Sequence, residues 1–338
     1  MMFSAVWFGL SVVACCSLAE PVGRLLGVID YPDGGRKSHA RPTPMVGGIA
    51  LMVPLLLVAL ARAALGSTSV DMVATLAVVG LGFLVLGWYD DRQHAPPGTR
   101  LAVSAGLFGA VALLQPGVLL TRIDLGPYLF DIPLWMFSMP FTILCLVGLQ
   151  NSINMVDGMN GLLIGLALFW TTCLMFYAPE HLLIYLQLLM LGLVIVLPYN
   201  LLGILFLGDA GSYSIGATIG VLMIYVYNQA DGALPMLTVV LWLLVPVADC
   251  LRVMVARLGD ERSPLSADEN HLHHRLARHW RWPICLVIYL LLVVGPGTVG
   301  ALWPELTLPM VVLDGAAYLA LLWATRLPRT AREPARSI

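Results

Sequence analysis

The sequence has few charged residues. Only 11% of its 338 positions are Asp, Glu, Lys or Arg, and Lys37 is the single lysine among 18 basic residues. Soluble domains are about 25% charged and about 45–50% apolar, whereas 59% of this chain is hydrophobic and its mean hydropathy is +0.87. So few charges cannot cover the surface of a soluble protein of this length. The composition excludes a soluble enzyme and a disordered protein, and it indicates a polytopic membrane protein.

The chain also lacks the cysteine pattern of a disulfide scaffold or of a metal site. Its six cysteines fall inside or at the ends of apolar runs and form no CxxC motif, so they are interpreted as small buried hydrophobes. Residues 1–19 have no basic n-region and only a poor cleavage site, which favours a first membrane span over a signal peptide.

Eleven apolar stretches approach the roughly 20 residues that a spanning helix needs. They lie at 2–19, 44–61, 70–89, 101–120, 132–149, 161–178, 182–201, 210–229, 233–250, 283–303 and 306–325. The pattern predicts an all-α, polytopic integral membrane protein with about eleven transmembrane helices. One transmembrane domain would cover residues 1–325, followed by a basic tail at 326–338.

The basic residues are unevenly distributed between the loops. Sixteen of the 18 fall in loops on one side of the membrane, and only Arg62 and Arg122 fall on the other. Because cytoplasmic loops retain Lys and Arg, we expect the N-terminus outside and the C-terminus in the cytoplasm. The cytoplasmic loops are then 20–43, 87–100, 150–161, 202–212 and 249–282. Most of the histidines and many carboxylates lie there, as suits a site that acts on a lipid headgroup and a water-soluble partner.

The first cytoplasmic loop carries a short cationic cluster between prolines and glycines. Arg36, Lys37 and His39 are suited to an anionic headgroup or a phosphate. An ordinary positive-inside anchor explains the same residues, and both interpretations stay open on sequence alone.

Two adjacent acids, Asp90 and Asp91, end the third apolar stretch. Carboxylates placed directly after an uncharged run call for a cation, which a Mg²⁺–pyrophosphate complex would supply. On a continuing helix their side chains point about 100° apart, so we expect different roles. A solvated helix end with an Asp–Arg92 pair is the simpler alternative.

Asn151, Asn154, Asp157 and Asn160 recur every three residues in a loop without basic residues. On a helical turn they would line one face. Their oxygens suit Mg²⁺, sugar hydroxyls or a uracil edge, and asparagine turn chemistry beside glycines is the alternative.

Asp209 stands between glycines where the eighth apolar stretch begins. A helix N-terminus offers free N–H groups and the positive end of the dipole, so we expect a phosphate there with Asp209 holding its metal ion. Ser212 as a simple N-cap is compatible with this or replaces it.

Three histidines, His271, His273 and His274, lie in the longest cytoplasmic loop. No cysteine is nearby, which disfavours a zinc site. With the arginines that follow, they are interpreted as a clamp for a diphosphate, and a surface helix without chemistry is the alternative.

Taken together, these five motifs resemble the polyprenyl-phosphate N-acetylhexosamine-1-phosphate transferase family. They stand in the family's order between residues 30 and 275, all on the predicted cytoplasmic side. The His-x-His-His form is similar to the branch of undecaprenyl-phosphate alpha-N-acetylglucosaminyl 1-phosphate transferases.

The resemblance implies a reaction at the cytoplasmic face of the bacterial inner membrane. N-acetylhexosamine-1-phosphate, by default GlcNAc-1-phosphate, passes from a UDP-sugar to undecaprenyl phosphate with release of UMP, as the first membrane step of a cell-surface polysaccharide. The implied cofactor is Mg²⁺ or Mn²⁺, which suits a transition state that collects negative charge. The partners are the UDP-N-acetylhexosamine, undecaprenyl phosphate and membrane lipid, with no nucleic acid; a homodimer is compatible with the sequence.

The resemblance also implies residue roles. Asp209 and Asn154 would bind the metal ion. Asp90 would orient or deprotonate the lipid phosphate, Asp91 would support the metal site, and Asp157 would bind the sugar nucleotide or place the metal. Substrate binding would fall to Arg36, Lys37, His39, Asn151, Asn160, His271, His273 and His274.

Two positions leave the prediction open. Many family members carry an aspartate where this chain has Asn160, so the sugar stays open among GlcNAc, GalNAc, QuiNAc and FucNAc. Asp314 lies within the last stretch and matches no motif of the family. A membrane transporter is the alternative from another class, disfavoured because the polar residues gather at one interface; a scaffold subunit would show no Mg²⁺ dependence.

Overall fold

The computed structural model describes residues 2–32, 41–66, 70–125, 131–261, 263 and 270–326, and this part of the chain is mainly helical. The helices are α1 (Met2–Ser17), α2 (Ala19–Leu26), α3 (Gly47–Ala64), α4 (Val70–Leu76), α5 (Phe83–Gln93), α6 (Pro97–Leu114), α7 (Ser138–Val156), α8 (Leu162–Tyr177), α9 (Glu180–Leu201), α10 (Gly208–Gln229), α11 (Met236–Gly259), α12 (Leu272–Ala277), α13 (Trp282–Leu302) and α14 (Thr307–Ala324). A π-helical turn, Ala77–Gly82, joins α4 to α5 in one rod.

Two short antiparallel strand pairs accompany the helices. One joins β1 (Ile29–Asp30) to β2 (Thr43–Pro44). The other joins β3 (Arg122–Ile123) to β4 (Ile132–Pro133). Each strand is two residues long, so both pairs only fasten loops at the ends of the helices.

Nine helical segments in the described ranges are long and apolar enough to cross a bilayer. Helices α1 and α2 together form a tenth candidate whose axis bends by 69° between them. Helix α8 is apolar but has only 16 residues. The structure confirms an all-α, polytopic membrane protein, while the count of eleven spans and the orientation of the termini stay predictions.

Three helix ends differ from the predicted stretches. Helix α7 continues to Val156, seven residues past the predicted end at 149, and α11 continues to Gly259, nine past the predicted end at 250. Hydropathy marks the part of a helix that meets lipid, whereas the hydrogen-bonded helix continues through polar residues beyond it. Helix α6 stops early, at Leu114, because Pro116 cannot continue a helix.

Helix α10 is the centre of the bundle. Every residue from Ala210 to Tyr227 is buried, and α10 packs against α3, α5, α7 and α8. Two glycines allow close packing at its N-terminal end. A Cβ on Gly48 would lie 2.2 Å from the Gly211 Cα, and one on Gly87 would lie 2.3 Å from the Asp209 carbonyl oxygen. The backbones of α3 and α5 therefore fix the start of α10.

The segment before α3 runs beside the segment before α10. Met45 and Phe206 form a parallel bridge. The Phe206 N–H donates to the Pro44 carbonyl at 2.9 Å, and the Gly47 N–H donates to the Phe206 carbonyl at 2.9 Å. This pairing brings the end of the first loop against the motif that contains Asp209.

Candidate active site

A carboxylate from another helix caps the N-terminus of α10. Asp91, near the end of α5, accepts the N–H of Asp209 at 2.9 Å on Oδ1 and the N–H of Ala210 at 3.0 Å on Oδ2. A carboxylate here satisfies two of the unpaired N–H groups and complements the helix dipole. The prediction that these N–H groups are free for a phosphate is therefore wrong. Ser212 does not cap α10 either, because the helix begins at Gly208.

Asp209 faces Asn154 of α7. The Asn154 Nδ2 donates to the Asp209 Oδ1 at 2.7 Å and to the Ser212 Oγ at 2.8 Å. These two acceptors occupy the amide nitrogen of Asn154 and leave its oxygen for a cation, while the Asp209 carboxylate also interacts with the carboxylate of Asp90. The structure thus brings together the two residues that the sequence suggests as metal ligands.

Asp157 lies directly after α7 and belongs to the same group of acids. Burial, and then the carboxylates of Asp209 and Asp91, raise the pKa of the Asp157 carboxyl well above its usual value. Within the described ranges its side chain makes no hydrogen bond or ion pair. The carboxylates of Asp91, Asp157 and Asp209 therefore repel one another at one end of the bundle, and a cation beside them would relieve this repulsion. In the described part of the chain they do not converge as a site with three carboxylate ligands.

Asp90 lies in a different environment from its neighbour. It is 3% exposed. Its Oδ1 accepts the Ala95 N–H at 2.8 Å, and its Oδ2 accepts Arg100 Nη1 at 2.9 Å and Tyr213 Oη at 2.6 Å. The two adjacent acids do contact different partners, as the helical geometry predicts. The cation beside Asp90 is Arg100, whereas Arg92 lies over the Trp88 ring at 5.7 Å.

The histidine segment, residues 270–277, folds back into the bundle. Leu272, His273 and Leu276 of α12 are buried, so the alternative of a solvent-exposed surface helix is wrong. The His271 Nδ1 lies 2.9 Å from the Asp249 Oδ2, and the Leu272 N–H donates to the same oxygen at 3.0 Å. A buried carboxylate of α11 thus anchors the start of the segment.

His273 connects the histidine segment to the loop after α7. A Cβ on Gly158 would lie 2.3 Å from the His273 Nε2, so this ring packs directly on the loop backbone. Its centroid lies 5.7 Å from that of His271 and 4.2 Å from that of His274. Burial, and then the charges of His274 and His271, lower the pKa of His273 well below its usual value. This shift favours the neutral form of the ring.

Asn200, near the end of α9, holds the other side of that loop. Its Oδ1 accepts the Gly161 N–H at 2.6 Å and its Nδ2 donates to the Leu205 carbonyl at 3.3 Å. Gly161 has a φ of +82°, which glycine adopts without strain. A single buried amide therefore ties the loop after α7 to the segment that leads into α10.

Asn151 and Asn160 each have a hydrogen-bond partner other than the acids. The Asn151 Nδ2 donates to the Val147 carbonyl of its own helix at 2.8 Å, and the Asn160 carbonyl accepts the Trp282 Nε1 at 3.0 Å. His274 stands next to His273. Arg36, Lys37 and His39 lie outside the described residues.

Sequence reasoning missed four residues that organise the site, namely Asn200, Asp249, Arg100 and Tyr213. Two of them carried a usable signal. Asn200 and Asp249 are polar residues near the end of otherwise apolar runs, where an unpaired polar group is costly. Arg100 and Tyr213 carried none, because their partner Asp90 is 10 and 123 residues away.

The donor set suits a hard divalent cation that shares its ligands with phosphate. In the described part of the chain, no three His, Cys, Asp or Glu side chains converge as a metal site, which gives the zinc alternative no support. Mg²⁺ differs from zinc, because it takes one or two carboxylates and completes its shell with water and substrate phosphates. Asp209, Asn154 and Asp157 meet that requirement.

Comparison with known proteins places this site in a family. Residues 72–227 match the model of glycosyl transferase family 4. The chain is similar to the undecaprenyl-phosphate alpha-N-acetylglucosaminyl 1-phosphate transferase of Yersinia pestis, with 30% identity over 296 residues that cover 82% of this chain and 77% of that protein. The chain belongs to glycosyl transferase family 4.

Two further relatives align over most of this family 4 chain. The decaprenyl-phosphate N-acetylglucosaminephosphotransferase of Mycolicibacterium smegmatis is 29% identical, covering 91% of this chain and 83% of its own length. A probable undecaprenyl-phosphate N-acetylglucosaminyl 1-phosphate transferase of Bacillus subtilis is 25% identical, and the alignment covers 79% of this chain and 74% of that protein. The matched family 4 range contains Asp91, Asp157 and Asp209, while Asp249 and the histidine segment lie beyond it.

Proposed function

We propose that this protein transfers N-acetylhexosamine-1-phosphate from a UDP-sugar to undecaprenyl phosphate, with GlcNAc as the default sugar and UMP as the leaving product. The relatives' names support a polyprenyl-phosphate acceptor and an N-acetylglucosaminyl group. The observation that carries the proposal is the contact between Asn154 and Asp209 at one end of the membrane helices, with Asp91 on the start of α10 and Asp157 directly after α7.

This placement supports a reaction between a lipid and a soluble nucleotide. A carboxylate group at the end of spanning helices lies where the lipid phosphate and the aqueous donor meet. The lipid phosphate is already largely ionised near neutrality, since the second pKa of a phosphate monoester is about 6. The site therefore needs positioning and charge neutralisation more than a general base.

Asp209 and Asn154 are the residues that would hold Mg²⁺, with Asp157 beside them. The bound ion would neutralise phosphate oxygens as charge accumulates in the transition state. Asp91 acts through the backbone, because its two oxygens hold the start of α10. Asp90 lies in the ion pair with Arg100 and the hydrogen bond to Tyr213, which restricts its access to a substrate.

The test is UMP release by the purified protein in detergent with undecaprenyl phosphate, Mg²⁺ and a panel of UDP-sugars. We expect UMP from UDP-GlcNAc and its loss with EDTA, while an Asp209→Asn preparation serves as the inactive control. UMP from UDP-GalNAc, UDP-QuiNAc or UDP-FucNAc instead would keep the reaction and direct attention to Asn160. No UMP from any donor, with folded protein, would contradict the proposal and favour a transporter or a scaffold subunit.

A second test concerns the side of the membrane. We propose that the site faces the cytoplasm, in keeping with the arginine-rich loops. His279 and Asp231 are both exposed and lie towards opposite ends of the bundle. A membrane-impermeant maleimide should label Asp231→Cys in intact cells and His279→Cys only after permeabilisation. The labelling of each variant is compared with that of the wild type, which contains only the native cysteines. The reverse pattern would overturn the orientation.

A further inference from the structure

The carboxylate of Asp249 has hydrogen-bond partners from four residues on its two oxygens. It is 1% exposed. Its Oδ1 accepts Arg252 Nη2 at 2.8 Å, Arg252 Nε at 3.3 Å and Tyr318 Oη at 2.9 Å. Its Oδ2 lies 2.9 Å from His271 Nδ1 and accepts the Leu272 N–H at 3.0 Å. None of the acids assigned to the reaction contacts this group.

The partners of Asp249 fix the proton position on His271. An ionised carboxylate only accepts hydrogen bonds, so the Nδ1 of His271 carries the proton that lies between them. The charge of Asp249 is already balanced by Arg252, which forms an ion pair at 2.8 Å. With Nδ1 directed at Asp249, the Nε2 of His271 lies on the far side of the ring from that carboxylate and, within the described residues, has no protein partner.

The same network fixes where the ring lies. The Arg252 Nη2 also donates to the Asn270 carbonyl at 2.5 Å, and the Arg275 Nη2 donates to the Leu322 carbonyl at 2.6 Å. The first bond holds the backbone directly before His271, and the second fastens α12 to the end of α14. The ring is parallel to that of His273, with 7° between their planes, and His273 lies against Gly158. The orientation of His271 is thus coupled to the loop that carries Asp157.

We propose that Asp249 is a positioning residue for the donor substrate. It holds His271 in the tautomer with hydrogen on Nδ1 and directs Nε2, as a hydrogen-bond acceptor, at an N–H or O–H group of the nucleotide sugar. The inference rests on the proposed function, and it differs from a cationic clamp because the ring acts by accepting. Carboxylate groups behind a histidine commonly set its tautomer and direction in this way.

The test measures binding of UDP-GlcNAc and of UMP to detergent-purified protein by calorimetry, beside KM and kcat. Asp249→Asn replaces one carboxylate oxygen by an NH₂ group. Facing His271, this group donates to Nδ1 and moves the proton to Nε2; facing Arg252, it breaks the contact that holds the segment. The acceptor is lost or misdirected in either case. We expect the affinity for UDP-GlcNAc to fall about 10-fold or more, by analogy with groups that orient metal-binding histidines, whose loss costs about 10- to 100-fold. A matching fall for UMP would place the donor group on the nucleotide, and an unchanged UMP affinity would place it on the sugar.

Asp314→Asn is the matched control. It makes the same chemical change at an equally buried acid, also 1% exposed, whose carboxylate has no hydrogen-bond partner in the described part. Asp314 lies on α14 one turn before Tyr318 and, within the described residues, makes no hydrogen bond to Asp249 or to the histidine segment. We expect its affinity and KM to stay at wild-type values. Equal losses in Asp314→Asn and Asp249→Asn would overturn the inference, because they would reflect a general effect of changing a buried acid.

Two further variants decide the question if Asp249→Asn does not fold. His271→Asn places an amide near Nδ1 and nothing near Nε2, whereas His271→Gln reaches the Nε2 position with an amide oxygen. We expect His271→Asn to bind at least about 10-fold more weakly than His271→Gln. Equal binding by the two would overturn the inference. A wild type that binds no UDP-GlcNAc would instead contradict the proposed function itself.

The double variant Asp249→Asn/His271→Asn tests whether the two residues act together. If Asp249 positions His271, the losses of UDP-GlcNAc affinity in the two single variants should not add, since both changes remove the same acceptor. Additive losses would show that Asp249 acts independently of His271.

Discussion

Asp91 holds Asp209 by its backbone, since the Asp91 Oδ1 accepts the Asp209 N–H at 2.9 Å. The side chain of Asp209 is left to meet Asn154 at 2.7 Å. Asp91 therefore holds the start of α10, and Asp209 presents its carboxylate from that same helix end. Replacing either acid should lower activity. Asp209→Asn should do so through the loss of a charge that would hold a cation, and Asp91→Asn through the loss of a helix cap, so stability measurements distinguish the two variants.

Asp209→Asn should abolish turnover without changing the amount of folded protein. Asparagine keeps an oxygen for Asn154 but loses the negative charge that would hold a divalent cation. Loss of one such electrostatic group costs on the order of 100- to 1,000-fold in rate. UMP release measured across a Mg²⁺ titration checks this prediction. An active variant with the wild-type Mg²⁺ dependence would refute the role of Asp209.

Asp91→Asn should lower stability as well as activity. An amide has one acceptor oxygen where the carboxylate has two, so its NH₂ would face the N–H of Asp209 or Ala210. Loss of a helix cap costs about 0.5–2 kcal/mol. We expect a lower midpoint of thermal unfolding in detergent. Asp71→Asn, at an exposed acid in the first turn of α4, is the control and should lower the midpoint less, because it removes a charge near a helix dipole but no buried cap. Lost activity at full stability would point to direct substrate contact instead.

Gly87→Ala should displace the start of α10. The added Cβ would lie 2.3 Å from the Asp209 carbonyl oxygen and 2.4 Å from the Ala210 Cα, and backbone atoms cannot yield as a flexible side chain does. Overpacking of this kind costs about 1–3 kcal/mol. The control is Gly106→Ala in α6, which meets nothing within 4 Å. It should be neutral or slightly stabilising, because alanine favours helix. Thermal unfolding of both variants provides the measurement.

Stability should fall as the pH drops below about 6.5, the ordinary pKa of histidine. The pKa of His273 is lowered by burial and by the charges of His274 and His271. Below pH 6.5 the unfolded chain therefore binds a proton that the folded chain does not, and protonation favours unfolding. The stabilisation is complete above the unfolded pKa and decreases as the pH falls.

Replacing His273 should flatten this dependence. We expect His273→Leu to show a smaller decrease in unfolding temperature between pH 7 and pH 5 than the wild type, whatever its stability at pH 7. His279→Leu removes an exposed imidazole and should keep the wild-type slope. Equal slopes for all three proteins would contradict a neutral, buried His273.

The sequence anticipated the fold class and the gathering of Asn154, Asp157 and Asp209. Hydropathy reports helices that meet lipid, and short spacings report which side chains share a helical face. The sequence did not predict that Asp91 caps the start of α10, because a helix N-terminus has no visible partner until its tertiary neighbours are known. The cap comes from a residue 118 positions away.

Asp249 shows a different limit. Hydropathy ended its helix near residue 250, which placed Asp249 at the start of a loop. The helix in fact continues to Gly259, and the chain returns so that His271 meets Asp249 from 22 residues away. A long-range return of this kind depends on tertiary packing rather than on local pattern. The first cationic cluster, at Arg36, stays a prediction.

Helix α10 has no face that meets lipid or water between Ala210 and Tyr227. Deuterium can reach its backbone amides only when neighbouring helices separate, so these amides should be the slowest to exchange in the bundle. Asp209 is attached to the end of this least labile segment, whereas His271 belongs to a short segment that returns from a loop. Any opening that admits the substrates would then show first as fast exchange in the histidine segment, with the amides of α10 still protected.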